Sequence, residues 1–80
     1  MTKQEALQQI EAIFHEVLNR TNITLTETTT ADDVEGWDSL TNMTIIVKVE
    51  DKFNCKFKFR EIVKFRNIGD LCDAVLTKMK

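Results

Sequence analysis

The chain has 80 residues, 42% of them apolar and 30% charged, with two glycines and no proline. That is the make-up of one globular domain over residues 1–80 rather than of a disordered segment, with no room for a second core. Thirteen acids against eleven Lys and Arg leave a net charge of −2, which argues against general electrostatic attraction to nucleic acid.

At this size nearly every large apolar side chain has to join a single core. Apolar runs such as Ile45-Ile46-Val47 fall far short of the ~20 residues of a membrane span. Met1-Thr2-Lys3-Gln4 leads into an amphipathic pattern with no basic segment ahead of an apolar stretch. No secretory signal is visible, and a soluble, cytoplasmic protein is expected. Cys55 and Cys72 lack Cys-x-x-Cys spacing, and the one histidine, His15, lies far from both in sequence. A zinc site takes about four such ligands, so no metal is expected. Both cysteines read as reduced, partly buried apolar residues.

Thr2 to about Leu18 predicts a helix. Ala6, Leu7, Ile10, Phe14, Val17 and Leu18 recur at spacings of three and four and share one face. Thr2-Lys3-Gln4-Glu5 has the form of a capping box, a hydroxyl with a carboxylate three residues on. His15 falls on the polar side of this wheel and is expected to be solvated or partly exposed. With no nucleophile in its segment to pair with, it is no candidate catalyst.

From Asn19 to Trp37 the chain is rich in threonine, and β-branched hydroxyl residues disfavour helix. An extended loop is expected, pinned to the core by Ile23, Leu25, Val34 and Trp37. Loops of this length in a small domain are uncommon and often functional. Glu35-Gly36-Trp37-Asp38 closes it, with Gly36 permitting a tight turn and Asp38 a good helix cap.

A second helix then runs from Ser39 to about Phe53. Ile45, Ile46, Val49 and Phe53 form one apolar stripe, and Leu40, Met43 and Val47 a second, more than ~90° round the same wheel. Periodicity leaves two readings of the second stripe: a docking surface, or an additional face buried in the bundle. Asn54 to Lys58 predicts a turn, and Arg60 to Lys64 a short helix with Phe59, Ile62 and Val63 inward. Asn67-Ile68-Gly69-Asp70 opens a last helix to about Met79. Ile68, Leu71, Cys72, Val75, Leu76 and Met79 form its apolar face. The expected fold is a small all-α four-helix bundle, three longer helices and one short.

Ser39 stands where backbone N–H groups and the helix dipole favour a phosphate. Nothing in the sequence activates its hydroxyl: there is no Gly-x-Ser-x-Gly elbow and no triad around His15. A serine placed for phosphate but lacking a base reads as the substrate of another enzyme.

Gly36-Trp37-Asp38-Ser39-Leu40, with these helices around it, resembles the modification site of an acyl carrier protein. Similar features are the amphipathic first helix, the acidic loop, Val49-Glu50-Asp51-Lys52-Phe53 and Ile68-Gly69-Asp70-Leu71. The resemblance implies that a phosphopantetheinyl transferase moves 4'-phosphopantetheine from coenzyme A onto Ser39, with Asp38 as cap and transferase recognition residue. Leu40, Met43 and Val47 would be the docking face, and Ile45, Ile46, Val49 and Phe53 would line the core. The protein would be a non-catalytic, monomeric carrier. Its partners would be acyl-loading and acyl-using enzymes such as a ligase, ketosynthase or acyltransferase, with no nucleic acid among them.

The chain departs from the housekeeping fatty-acid type, whose second helix is strongly acidic. Thr41 and Thr44 stand where acids are common, and Lys48 and Lys52 are added. Acids gather before the helix, and from Lys48 to Arg66 cations outnumber acids. Complementary charge sets encounter rate and partner choice, so a specialised carrier with a different partner set is expected. Other readings are a cofactor-free interaction module or a peptidyl or alanyl carrier. A helix-turn-helix over Lys56 to Arg66 is disfavoured by its many phenylalanines, and a calcium loop over Asp32 to Asp38 lacks the ligand spacing.

Overall fold

Thr2 opens the first helix as expected. Its hydroxyl accepts from Glu5 N–H at 3.1 Å and the Glu5 carboxylate accepts from Thr2 N–H at 2.9 Å. A computed structural model describes residues 1–79. Helix α1 is Lys3–Leu18, α2 Ser39–Phe53, α3 Phe59–Ile62 and α4 Ile68–Lys78, with a 3-10 turn at Ala31–Asp33. The described residues are helices and loops alone, the all-α bundle of three long helices and one short one. None of the helices is long and apolar enough to cross a membrane.

Both long helices that precede a loop end on an asparagine in the left-handed region, Asn19 at φ 53° and Asn54 at φ 53°. Asparagine tolerates that geometry better than most residues because its short amide bonds locally. The chain then doubles back through Arg20 N–H to the His15 carbonyl (3.1 Å) and Cys55 N–H to the Glu50 carbonyl (3.0 Å).

Helix α1 packs against both α2 and α4. Its buried residues are Ala6, Ile10, Ile13 and Phe14. Leu7, Val17 and Leu18, expected on the core face, lie half-buried at its margin, and Ile13 fills a place not anticipated. Ile45, Ile46, Val49 and Phe53 from α2 and Ile68, Leu71, Cys72 and Val75 from α4 join the same core. Cys72 is fully buried and Cys55 half-buried, both with free thiols.

The long connection is held by side chains, and its threonines have local work. Thr29 is buried, and its hydroxyl accepts from Thr26 N–H at 2.9 Å. Glu11 reaches from α1 to accept from Leu25 N–H at 2.9 Å, and His15 Nε2–H donates to the Ile23 carbonyl at 2.7 Å. His15 is therefore half-buried with a structural task. Ile23, Leu25 and Val34 are buried as expected, and Trp37 is half-buried against the core.

At the other end the loop docks on the start of α4. Ile68 N–H donates to the Thr29 carbonyl (2.9 Å) and Gly69 N–H to the Glu27 carbonyl (2.8 Å). A Cβ on Gly69 would lie 2.8 Å from that same Glu27 oxygen. The oxygen cannot retreat without breaking the bond that fixes it. Gly69→Ala is expected to destabilise by about 1–3 kcal/mol through overpacking, despite the ~1 kcal/mol gain in helix propensity. Thermal unfolding followed by circular dichroism measures the loss.

The region around α3 departs from expectation. It is Phe59–Ile62 rather than Arg60 to Lys64, and Phe59 and Val63 face outward at 75% and 61% exposure. A single turn has one inward side. Here Phe57, held by its N–H on the Glu50 carboxylate (2.7 Å), is buried and meets Phe65 edge-on at 5.4 Å. With Phe57, Ile62 and Phe65 packed on the core, Phe59 and Val63, four apart, share the outer side. Met79, expected on the apolar face of α4, is 45% exposed, because it lies just beyond the helix end.

Candidate functional site

The turn before α2 is fixed from several directions. Gly36 adopts φ +92°, a conformation that strains any residue bearing a Cβ. Arg20 Nη2 donates to the Glu35 carbonyl at 2.8 Å. The Trp37 ring stands edge-on to Phe14 at 4.8 Å, and its Nε1–H donates to Asn42 Oδ1 at 2.9 Å. The loop is thus tied both to α1 and to the helix it opens.

Asp38 caps that helix. Its Oδ1 accepts from Leu40 N–H and Thr41 N–H, each at 3.0 Å. Thr41 completes a reciprocal box: its hydroxyl accepts from Asp38 N–H at 2.9 Å and donates to the Gly36 carbonyl at 2.7 Å. From its residue type alone, Thr41 stands out only for occupying a place where acids are common. An Asp followed three residues later by a hydroxyl is the signal that identifies it.

The N–H of Thr41, followed by that of Leu40, holds the Asp38 carboxyl below the usual carboxylate range. A depressed native value means the cap's contribution is present above the unfolded value, near pH 4, and fades as pH falls through the native one. Asp38→Asn is expected to flatten the acid limb of stability below about pH 4 while leaving neutral stability nearly unchanged, because Asn still accepts. Unfolding midpoints measured across that range check it.

Ser39 is the first residue of α2 and is exposed. It borders an open cleft of about 220 Å³ whose lining includes Trp37, Asp38, Asn42, Phe65 and Arg66. A flexible group attached there has free space to leave the surface, and the dipole of a 15-residue helix points its positive end at the hydroxyl. No His or Cys is among the cleft's lining residues. His15 is engaged with Ile23, and burial pushes the Cys72 thiol up to about 11 and raises Cys55. The protein's own thiols are poor nucleophiles at neutral pH.

Leu40, Met43 and Val47 are exposed at 78%, 48% and 50%. The second stripe is therefore not a buried face of the bundle. It begins beside Ser39 and runs along α2 on the side that α1 does not cover.

Comparison with known proteins agrees with this geometry. The pattern of the phosphopantetheine attachment site family matches residues 8–75, most of the chain. The fold is similar to the solution NMR structure of a holo acyl carrier protein from Geobacter metallireducens, with a TM-score of 0.86 and 39% sequence identity. That match covers 92% of this chain and 85% of the other. No curated protein sequence matches. With helix order, capped turn and family pattern in agreement, the chain belongs to the acyl carrier family: a non-catalytic carrier whose prosthetic group is 4'-phosphopantetheine.

Proposed function

We propose that Ser39 is the attachment point of the phosphopantetheine arm, and that the protein carries acyl groups between the enzymes of a specialised cytoplasmic pathway. The exposed Ser39 hydroxyl at the capped start of α2 carries the reading. Once attached, the group supplies a terminal thiol that holds acyl chains as thioesters. The chain's part is to present the hydroxyl, fix the turn that a transferase must recognise, and offer a surface for partners. Asp38 sets the turn, and Leu40, Met43 and Val47 offer an apolar docking face beside it.

Intact-mass measurement after incubation with a broad-specificity transferase and coenzyme A tests the reading. One phosphopantetheinyl group is expected per chain. A thiol reagent should then find one fast-reacting thiol more than before loading, since Cys72 is sealed in the core. An unchanged mass would mark a cofactor-free module instead.

The charge distribution supports partners unlike those of housekeeping carriers. Lys48 is engaged with Glu16 at 3.0 Å and Lys78 with Glu61 at 3.0 Å. Lys52, Lys56, Lys58, Arg60, Lys64 and Arg66 take part in none of the ion pairs of the described residues. A partner meeting α2 and α3 therefore faces free cations, and an acidic rim complements them. Polyketide-like, lipid or surface-glycan acylation are pathways of the right kind. A standard fatty-acid ketosynthase is expected to extend this acyl carrier much more slowly than its own, and equal rates would sink the specialised assignment.

A further inference from the structure

The Ser39 cleft has an electrostatic imbalance that a phosphodiester would deepen. Asp38 already places a carboxylate at this helix end, and it takes the N–H groups of Leu40 and Thr41. Asp32, Asp33 and Glu35 are exposed on the loop leading to it, and of these Glu35 has a cation, Arg20 at 3.6 Å. A phosphodiester on Ser39 adds a further negative charge where two of the helix's first amides already have an acceptor. The helix dipole offsets a fraction of this, but a cation is missing from α2's own first turns.

The cation comes from the other side of the cleft. Arg66 lines it together with Ser39. The Arg66 backbone is anchored by its N–H on the Asp70 carboxylate at 3.0 Å, and the neighbouring Phe65 ring is locked against Phe57. Its guanidinium is in none of the ion pairs of the described residues. Phe65 and Arg66 also border a second, larger groove of about 590 Å³ that continues past Lys64 toward Asp70 and Asp73. Arg66 thus stands where the two depressions meet.

We propose that Arg66 is the counter-charge of the Ser39 phosphodiester and turns the first segment of the arm toward Phe65 and the adjoining groove. A guanidinium suits this task because its planar fork pairs with two phosphate oxygens at once, whereas Lys acts as a point charge. Arg66 is a positioning residue: it holds the origin of the arm and does no chemistry on the thiol. The proposal rests on Ser39 being the attachment point.

The test uses the full chain loaded from coenzyme A, compared with Arg66→Gln, Arg66→Lys and, as a control bordering neither cleft, Arg60→Gln. At low salt the Arg66 Nε–H resonance is expected to move between the apo and loaded forms. The 31P resonance of the loaded protein should shift in Arg66→Gln, return part-way in Arg66→Lys, and stay put in Arg60→Gln. The first amide of a labelled arm should be ordered in the wild type and fall below an order parameter of about 0.6 in Arg66→Gln. Salt at about 1 M, where screening acts within ~3 Å, should bring the wild-type 31P signal toward that of Arg66→Gln.

Identical 31P and relaxation data for wild type and Arg66→Gln would overturn the assignment while leaving the attachment site intact. A wild-type chain that gains no mass would overturn both. Should Arg66→Gln fail to fold, the wild-type salt titration decides alone, and a 31P signal insensitive to salt overturns the proposal.

Discussion

Ser39→Ala is expected to abolish uptake of the phosphopantetheinyl group completely and to leave the fold untouched. The loss is all-or-none because the serine oxygen is the atom that would form the bond. No neighbour can substitute. Thr41 is the nearest hydroxyl along the helix, but it donates to the Gly36 carbonyl at 2.7 Å and accepts from Asp38 N–H at 2.9 Å. Freeing it would unmake the capped turn at the start of α2. The fold survives because the cap belongs to Asp38, and because alanine is the better helix former by a few tenths of a kcal/mol. Stability should stay within about 0.5 kcal/mol of wild type. Intact mass and a thermal melt on the same sample check both halves. Uptake by Ser39→Ala would move the attachment point elsewhere, and a collapsed melt would show that Ser39 does structural work that its exposure denies.

What could be read in advance was whatever the chain encodes locally. Thr2, Asp38 and Asn67 open helices through bonds spanning two or three residues, so the sequence displays both partners of each cap. The two stripes of α2 were legible for the same reason, since a 15-residue helix carries enough repeats to define a wheel. Helix α3 does not: four residues contain no period, and its orientation is decided by Phe57 and Phe65 outside it. The loop was recognisable as a loop, but not the side chains that hold it. Glu11 and His15 bind backbone groups of Leu25 and Ile23, and side-chain contacts to backbone leave no trace in residue type at the receiving end. Arg66 at the Ser39 cleft is invisible for a related reason. A cation in a basic stretch looks like its neighbours until the fold places it.

Ser39 itself illustrates the limit of local reading. As the first residue of a helix it is ordinary, and exposure adds only that it can be reached. The role proposed for it depends on the turn behind it, where Gly36, Trp37 and Asp38 are held at the start of α2. One of the contacts that support that turn from the core is the edge-on pair of Phe14 and Trp37, and stability and presentation are expected to be coupled through it.

Phe14→Ala is expected to expose this coupling. Phe14 is fully buried, and its ring supports Trp37 edge-on at 4.8 Å and 88°. Removing a buried phenylalanine costs about 3–5 kcal/mol, a large share of the 5–15 kcal/mol that holds a typical domain together. The melting midpoint should fall by roughly 15 °C or more. Trp37 is the single tryptophan in the chain, so its fluorescence reports on the very contact removed. Phe14→Leu keeps more of the volume and should fold, yet it lacks the ring edge facing the indole. In that variant the Trp37 emission should shift toward longer wavelength while helix content stays native. The transferase should then require more protein for half-maximal rate, with the maximal rate less affected, because the Ser39 hydroxyl is intact but the turn presenting it is loose. If Trp37 emission and transfer kinetics in Phe14→Leu match wild type, the turn is held by Asn42 and Arg20 alone, and the core does not govern how the serine is presented.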